Sequence, residues 1–320
     1  MIFYVYLDPD VILRAQAGGE YGMQTLIAIL SGFLDNCFVA EFYDESVQAT
    51  LKENVKRLPE GFDRKRIMVL LNTLKTRNRF IYCLTPDYSY QKSLLECVRE
   101  QAGPLLLDLV LLPEVPVEEE LMAPAAIAAL ANYQFTRFED HRRELARDGV
   151  TLRPGELSED ELLERYFKKA LMYARSIEIC DRMFGRKYNA DYKYTIEKFF
   201  QWLARVLLEP DRCSVTIHCE EPDDQSRDLE TLKTDLTNCK IARLITIDMK
   251  LFVYQMPNSS AHLPHDRFII TDQIAIGIPR GMGFLDPDTG QNRDLTLDYK
   301  NRSGVQQLLN GYVVENRFDL

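Results

Sequence analysis

The chain has 320 residues, a hydrophobic share of 46% and a formal net charge of -10. Its length favours two domains over one. Its acidic balance excludes a protein that coats nucleic acid without specificity, although it allows a local basic pocket. No apolar run reaches the length of a membrane span, and the first residues read as a strand rather than a leader, so a cytoplasmic protein is expected.

The first part of the chain alternates predicted strands and helices. The predicted strands lie at residues 2–7, 38–42, 80–84 and 105–112, and the predicted helices at 25–34, 45–56, 64–77, 92–101 and 125–147. Strands that are separated by helices favour an α/β layer domain with a largely parallel sheet. Residues 1–150 are assigned to this domain.

A polar segment at residues 149–161 marks the predicted domain boundary. Within it, Ser158 and Glu161 have the spacing of a capping box that opens the next helix. Residues 151–320 form the second predicted domain. Its predicted helices lie at residues 161–174, 194–207 and 229–236, and its predicted strands at 176–180, 214–218, 241–247 and 268–270. His218 ends one of these strands and is expected to be packed.

The spacing His-x-Arg-x-x-x-x-Asp, formed by His265, Arg267 and Asp272, is the most informative pattern in the second domain. If this segment is a strand, the side chains of His265 and Arg267 share a face. An imidazole titrates near neutral pH, and a guanidinium is a fixed planar cation that suits a phosphate. The pattern therefore predicts a site for a phosphate-bearing partner.

Two further basic features accompany this motif. Arg280 lies in the segment Pro279–Gly283, where glycines permit tight backbone turns. A run of basic residues forms either a candidate ligand-binding face or a solvated helix start: Arg182, Arg186, Lys187, Lys193 and Lys198.

The region from Ile177 to Leu285 resembles the C-terminal domain of microtubule-interacting-and-trafficking (MIT) proteins. The resemblance is carried by four blocks, namely Ile177–Arg182, Tyr194–Trp202, His265–Arg267 and Ile278–Met282, the last running on to Phe284 and Leu285. It implies a phospholipase-D-like fold, an antiparallel-edged α/β sheet sandwiched by helices, and a homodimer that binds phospholipid.

The wider phospholipase D superfamily uses His-x-Lys-x-x-x-x-Asp, in which the histidine attacks phosphorus and the lysine holds the phosphate. By this resemblance His265 would be the nucleophile, with Asp272 as the motif aspartate and Arg267 in place of the lysine. The Gly-Ser-x-Asn block of that superfamily is absent, and so is a second complete motif. A site with two histidines would therefore need a dimer.

Three interpretations of this motif remain open. The histidine and Arg267 could have structural roles, with Arg267 paired to Asp181 or Asp266. The domain could bind a phosphate-bearing ligand, either nucleic acid or anionic lipid, without chemistry, which would suit a prokaryotic defence or accessory protein. It could also be a phosphodiesterase that acts through His265. Recognition of a phosphate ligand by a dimer is the leading expectation.

Acidic residues at predicted strand ends give the first domain a loose resemblance to PIN-like nucleases. Asp8 follows the first strand, Glu41 ends the second, and Asp108 lies inside a later apolar strand. In PIN-like nucleases, clustered carboxylates hold Mg²⁺ or Mn²⁺, which activates water against a phosphodiester. The alternative for Asp8 is a turn and a helix cap.

Overall fold

The computed structural model describes residues 2–87, 92–103, 106–114, 125–220, 228–254, 267–300, 305 and 314–320. The chain divides into two compact units, Ile2–Arg147 and Asp148–Leu320, here called the first unit and the second unit. The division lies at the start of the polar segment described above. Within the described residues, none of the helices combines the length and apolar character that a membrane span requires.

The first unit contains a five-stranded parallel sheet. Its strands are β1 (Phe3–Leu7), β2 (Cys37–Phe42), β3 (Phe80–Leu84), β4 (Leu109–Leu112) and β5 (Ala126–Ala129), in the order β3-β2-β1-β4-β5. All residues of β1, β2 and β4 are buried, as expected for parallel strands that are covered on both faces. The strand order reverses direction between β1 and β4, which makes their carboxyl ends a topological switch point.

In the described residues of this unit the helices are α1 (Val11–Ala17), α2 (Gly19–Asn36), α3 (Ser46–Arg57), α4 (Phe62–Thr76), α5 (Leu94–Gln101) and α6 (Arg137–Asp148). α1 and α2 are separate helices because the chain turns at Gly19, which has a left-handed φ of 64°. α5 begins with a capping box in which Ser93 and Glu96 bind each other's backbone amides.

The long helix predicted at residues 125–147 is wrong. Its first part is the edge strand β5, which pairs with β4 from Leu109↔Ala126 to Leu112↔Ala129. A short 3-10 turn follows at Tyr133–Phe135, and only α6 is helical thereafter. The alanine-rich run has high helix propensity, but pairing with a buried strand outweighs that preference.

A buried polar network joins α2 to α6. The Arg142 guanidinium makes a bidentate contact with Glu139, at 2.7 and 3.0 Å, and donates to the Gly32 carbonyl at 2.8 Å. Glu139 also accepts from the Tyr133 hydroxyl at 2.6 Å. Burial opposes ionisation of Glu139, but the hydrogen bonds from Arg142 and Tyr133 hold its pKa below the ordinary value. The network therefore contains a charged pair inside the first unit.

The second unit contains an eight-stranded mixed sheet in the order β13-β9-β8-β7-β10-β11-β12-β6. Strands β7, β8 and β9 are parallel, and the remaining pairs are antiparallel. The strands are β6 (Val150–Leu152), β7 (Ser176–Cys180), β8 (Ser214–Glu220), β9 (Asp248–Tyr254), β10 (Phe268–Thr271), β11 (Ala275–Gly277), β12 (Leu295–Lys300) and β13 (Val314–Asp319).

The helices of the second unit are α7 (Glu159–Leu162), α8 (Lys168–Leu171), α9 (Met183–Arg186), α10 (Ala190–Val206) and α11 (Asp228–Arg243), with a π-helical turn at Leu163–Phe167 between α7 and α8. α7 opens with the predicted capping box of Ser158 and Glu161. Trp202 on α10 is buried and contacts the rings of Phe167 and Phe284, with centroid distances of 5.6 and 6.4 Å, while those two rings stack on each other at 5.7 Å.

The strand predicted at residues 241–247 is also wrong. α11 continues to Arg243, and the strand that follows is β9, which begins at Asp248. Ile241 and Ile245 are mostly exposed, so this apolar run does not belong to the sheet. A short apolar run has no periodicity that separates a helix end from a strand.

Candidate functional site

The carboxyl edge of the three parallel strands gathers most of the charged side chains of interest in the second unit. β7, β8 and β9 end at this edge. Asp181 directly follows β7, Glu220 is the last residue of β8, and Tyr254 is the last residue of β9. β10 runs antiparallel to β7, and Phe268 pairs with Cys180. Arg267, which immediately precedes β10, therefore lies at the same edge.

Asp181 is the buried acid of this edge. Its Oδ1 accepts from the Met183 amide at 2.9 Å, and its Oδ2 accepts from the Met282 amide at 2.8 Å. The Tyr192 hydroxyl also donates to it. Burial raises the pKa of Asp181, against the opposing effect of the two amides and of Arg267. The carboxyl group thus holds the start of α9 and the 279–283 turn together.

Arg267 lies beside Asp181 without forming a close hydrogen bond to it. Its Nε is 3.7 Å from Asp181 Oδ1, and its Nη1 donates to the Pro279 carbonyl. The side chain is only 12% exposed. Within the described residues, the buried Nε has no hydrogen-bond partner. The pairing of Arg267 with Asp181 was one of the alternatives that the sequence left open.

Gly281 allows the turn after β11 to lie directly on Asp181. Its φ of +85° is in the left-handed region, and a β-carbon there would lie 2.4 Å from Asp181 Oδ2 and 2.9 Å from the Tyr192 hydroxyl. A glycine is therefore required by both backbone conformation and space. The sequence predicted this tight turn from its glycines.

Arg182 and Arg186 extend the basic character of this edge along α9. The Nε of Arg182 is buried and lacks a hydrogen-bond partner among the described residues. Arg186 Nη1 donates to Glu220 Oε2 at 3.3 Å. α9 packs closely on β8, since a β-carbon at Gly185 would lie 1.9 Å from the Glu220 carbonyl oxygen. The glycine thus sets the position of both arginines.

Several predicted site residues lie elsewhere. His265 is outside the described residues. Asp272 follows β10 at the opposite edge, where its Oδ1 accepts from the Arg175 amide at 2.9 Å, so its grouping with Arg267 is wrong. Arg280 is 69% exposed and forms an ion pair with Asp294 at 2.6 Å, which directs it away from Asp181.

The predicted basic face is not a single surface. Lys187 is exposed. Lys193 and Lys198 lie on α10. Lys193 is paired with Asp235 at 3.2 Å, and Lys198 with Glu159 at 2.8 Å. Only Arg182 and Arg186 of this group lie at the carboxyl edge, because they follow β7 directly.

A hydrogen-bonded chain of three side chains crosses the parallel strands. His218 Nε2 lies 3.1 Å from Glu178 Oε2, and His218 Nδ1 lies 2.7 Å from the Tyr254 hydroxyl. The three residues belong to β7, β8 and β9. His218 is packed, as the sequence predicted, but its two polar contacts were missed because they depend on which strands are neighbours.

At the switch point of the first unit, Asp8 and Asp10 follow β1. Asp8 Oδ1 accepts from the Asp10 amide at 2.9 Å, and Asn54 donates to Asp10 Oδ1 at 3.2 Å. The Tyr6 hydroxyl is buried and has no hydrogen-bond partner in the described part of the chain. Burial raises the pKa of Tyr6, and the charges of Asp8, Glu41 and Asp10 raise it further.

The other two predicted metal ligands have different roles. Glu41 accepts from the backbone amides of Phe42, Val47 and Gln48, at 2.7 to 2.9 Å, and so caps the start of α3. Asp108 precedes β4 at the amino edge, where it accepts from the Tyr4 amide at 2.7 Å. Asp108 and Asp8 therefore lie at opposite edges of the sheet, and their predicted grouping is wrong.

The residues of the first unit do not fit the predicted Mg²⁺ or Mn²⁺ site. Most acceptor positions of the Glu41 carboxylate are used by backbone amides, and Asp108 is at the wrong edge. Across the described ranges, no group of three or more histidine, cysteine, aspartate or glutamate side chains is arranged to hold a metal ion.

Replacing Asp8 with asparagine should stabilise the first unit at neutral pH, because it removes a partly buried charge. The gain should be about 1 kcal/mol or less, because the residue is partly solvated. Burial raises the pKa of Asp8. The hydrogen bond from the Asp10 amide lowers this pKa, and the negative charge of Asp10 raises it. A native pKa above the ordinary value means that stability is lost as pH rises through it. The gain should therefore vanish below pH 3.8, the ordinary value.

Urea unfolding of both proteins at neutral and acidic pH measures this gain. Asparagine keeps an oxygen for the Asp10 amide, so the comparison isolates the charge. Asp211→Asn, at an exposed position, is the control and should change nothing. A destabilised Asp8→Asn protein at neutral pH would contradict the expectation.

The chain matches no protein-family model and no curated protein.

Proposed function

We propose that the second unit recognises a phosphate-bearing ligand at the carboxyl edge of β7 and β8. The observation that carries this proposal is the pair of buried guanidinium Nε atoms, in Arg182 and Arg267, that lack an acceptor among the described residues. Both arginines lie beside Asp181, one after β7 and the other before β10. A buried N–H without an acceptor is costly, and a ligand oxygen would remove that cost.

The charge at this edge favours an anion. Arg182, Arg186 and Arg267 provide three positive charges. Asp181 and Glu220 provide two carboxylates, and burial raises the pKa of Asp181. A guanidinium presents planar N–H pairs that match the oxygens of a phosphate, and such charge-assisted hydrogen bonds are about twice as strong as neutral ones.

The proposal also draws on the resemblance to the MIT C-terminal domain. That resemblance implies a sheet with antiparallel edges, and the strands that flank β7 to β9 are antiparallel to their neighbours. By the same resemblance, Arg267 would hold the phosphate. The same resemblance implies a homodimer, whose mass light scattering would measure.

Arg267→Gln and Arg182→Gln should each weaken ligand binding by about tenfold to a hundredfold. A charge-assisted hydrogen bond contributes on the order of 1.5–3 kcal/mol, and about 1.4 kcal/mol corresponds to a factor of ten. Binding is measured by calorimetry with inorganic phosphate, by fluorescence anisotropy with a labelled single-stranded oligonucleotide, and by sedimentation with phosphatidylserine vesicles. The probe that binds identifies the ligand class.

Arg280→Gln is the matched control, because Arg280 is exposed and paired with Asp294. It removes the same charge from a nearby surface and should leave the affinity unchanged. Each variant is first checked for cooperative unfolding, since Arg267 also binds the Pro279 carbonyl. A wild-type protein without affinity for any of the three probes would overturn the proposal, as would equal losses in all three variants.

The first unit is not proposed to be a metal-dependent nuclease. Asp8 and Asp10 lie at the switch point between β1 and β4, where α/β proteins bind ligands. Asp108, however, lies at the opposite edge, and the Glu41 carboxylate accepts from three backbone amides.

A further inference from the structure

Helix α4 of the first unit carries apolar side chains on two opposite sides. Ile67, Leu71 and Leu74 are buried and pack the helix onto the unit. Phe62 and Val69 face outward, with 73% and 62% of their surfaces exposed. They are close to two helical turns apart, at about 3.6 residues per turn, so they form one apolar line along the outside of the helix.

Basic side chains flank this apolar line on both sides. At about 100° per residue, Lys65 lies on one side of the line and Arg66 on the other. Both are exposed, and within the described ranges neither side chain forms a hydrogen bond or an ion pair. Phe62, Val69, Lys65 and Arg66 are here called the outer face of α4. Two apolar groups and two unpaired cations therefore meet the solvent together.

The charge around this face is opposite in sign to that of the chain. Residues 56–77 carry a charge of +5, within a chain whose net charge is -10, so the rest of the chain carries -15. The cations of this segment are Lys56, Arg57, Arg64, Lys65, Arg66, Lys75 and Arg77, and its acids are Glu60 and Asp63. Such a local reversal of charge attracts an anionic partner to this part of the surface.

Two more exposed aromatic side chains, Tyr21 and Phe135, lie beside the outer face of α4. Gln24, one turn after Tyr21 on α2, donates to Asp63 at the start of α4 at 3.3 Å. The Tyr21 hydroxyl accepts at 2.7 Å from Gln134, which directly precedes Phe135. Exposed apolar surface is thus concentrated in one part of the first unit, which is typical of an interaction surface.

The size and composition of the outer face favour a bilayer over other anionic partners. A specific protein interface buries about 800 Å² on each partner, which a line of two apolar side chains does not supply. Single-stranded nucleic acid stacks its bases on aromatic rings, and Val69 has none. A bilayer needs no complementary shape. It takes apolar side chains at the boundary of its acyl chains and basic side chains at the level of its phosphates.

We propose that the outer face of α4 docks the first unit on an anionic phospholipid surface. Phe62 and Val69 enter the boundary between headgroups and acyl chains, while Lys65 and Arg66 bind lipid phosphates. The helix remains packed on its own unit through its buried side, so the contact is peripheral. This docking goes beyond the proposed function, because it requires a lipid surface and not a single phosphate group, and it uses none of the residues of the second unit.

The test is sedimentation of the full chain with vesicles of phosphatidylcholine and phosphatidylserine in equal amounts. The wild type should sediment with these vesicles and not with pure phosphatidylcholine. Phe62→Ser should weaken the partitioning about tenfold, because it removes a ring that the bilayer buries. The double variant Lys65→Gln/Arg66→Gln should weaken it roughly thirtyfold, since each basic side chain near an anionic surface contributes to the attraction.

Matched controls change the same kinds of group in the second unit. Leu208→Ser removes another exposed apolar side chain. Arg205→Gln/Arg212→Gln removes two positive charges from exposed ion pairs with Asp160 and Glu209. Both controls should sediment like the wild type. Urea unfolding checks that each variant is folded, and an equal loss in the arginine control would show an effect of net charge alone and overturn the docking face.

A fluorescent reporter at Phe62 tests insertion directly. Trp202, the one native tryptophan, is buried, so Phe62→Trp adds an exposed indole. Its emission should shift to shorter wavelength on the mixed vesicles and should be quenched by lipids brominated on their acyl chains. An unchanged emission would overturn the docking, as would a loss of self-association or of oligonucleotide binding in Phe62→Ser, which would assign this face to another partner.

The docking and the proposed function fail separately. Vesicle binding that is lost in Arg267→Gln but kept in Phe62→Ser belongs to the second unit, and it overturns the docking while leaving the proposed function in place. Vesicle binding that is lost in Phe62→Ser but kept in Arg267→Gln and Arg182→Gln supports the docking. If the protein then also has no affinity for inorganic phosphate or the oligonucleotide, the proposed function alone is overturned.

Discussion

Replacing Gly185 with alanine should destabilise the second unit by about 3 kcal/mol or more, at or above the upper end of the usual cost of overpacking. The added β-carbon would lie 1.9 Å from the Glu220 carbonyl oxygen, and backbone atoms cannot rotate away as a side chain can. α9 must therefore move off β8. Since α9 carries Arg186 and follows Arg182, the same substitution should abolish binding of the phosphate probes.

Urea unfolding and calorimetric titration of one preparation measure both effects of Gly185→Ala. Gly277→Ala is the matched control in the same unit, because a β-carbon there would make only ordinary contacts, the nearest at 3.4 Å. It should unfold and bind like the wild type. Normal stability of Gly185→Ala would show that α9 does not lie on β8 as described.

Arg142→Met should destabilise the first unit by about 3–5 kcal/mol, the usual cost of leaving one partner of a buried ion pair alone. The substitution removes both hydrogen bonds to Glu139 and the one to the Gly32 carbonyl. Among the described residues, Glu139 would then keep Tyr133 and the exposed Arg143 as the partners of its charge. Chemical unfolding curves at neutral pH measure the loss.

Two further variants separate the buried pair from surface charge. Arg143→Met removes a partner of the same carboxylate from an exposed position and should cost less than about 1 kcal/mol. The double variant Glu139→Gln/Arg142→Met removes the buried charge of both partners, leaves only the exposed Arg143 and Asp35 without their partners, and should be more stable than Arg142→Met alone. Equal losses from Arg142→Met and Arg143→Met would contradict the buried network.

Three strands of the second sheet, β7, β8 and β10, could be predicted because they carry local signals. The strand predicted at residues 176–180 coincides with β7, since apolar residues alternate there and a buried acid follows. The turn at Gly281 was likewise visible as a glycine beside a proline and an arginine. The strand and the turn both depend only on residues that are neighbours in sequence. Side-chain alternation predicts the strand, and the turn preferences of glycine and proline predict the turn.

The grouping of site residues was less predictable, because it depends on strand length and partners. Arg267 and Asp272 are five residues apart, which in an extended chain is about 16 Å. Reading the segment as a strand therefore already implied that they lie at opposite ends of it. Their grouping in one site comes from the resemblance to the His-x-Lys-x-x-x-x-Asp motif and not from strand geometry.

The hydrogen-bonded chain of Glu178, His218 and Tyr254 could not be predicted from sequence. Glu178, His218 and Tyr254 are far apart in the chain, and each looks unremarkable in its own strand. Only the pairing of β7 with β8, and of β8 with β9, brings them together. Such pairing is a long-range property that no local periodicity encodes.

The strand order of the second sheet has a kinetic consequence. β6, the first strand of the unit in sequence, pairs with β12, which is nearly the last, through Leu152↔Leu295. The chain must close a very long loop before this pair forms, and loop closure of that kind slows folding. Until then β12 presents an open hydrogen-bonding edge, so during refolding β12 is the natural template for misassembly with another chain.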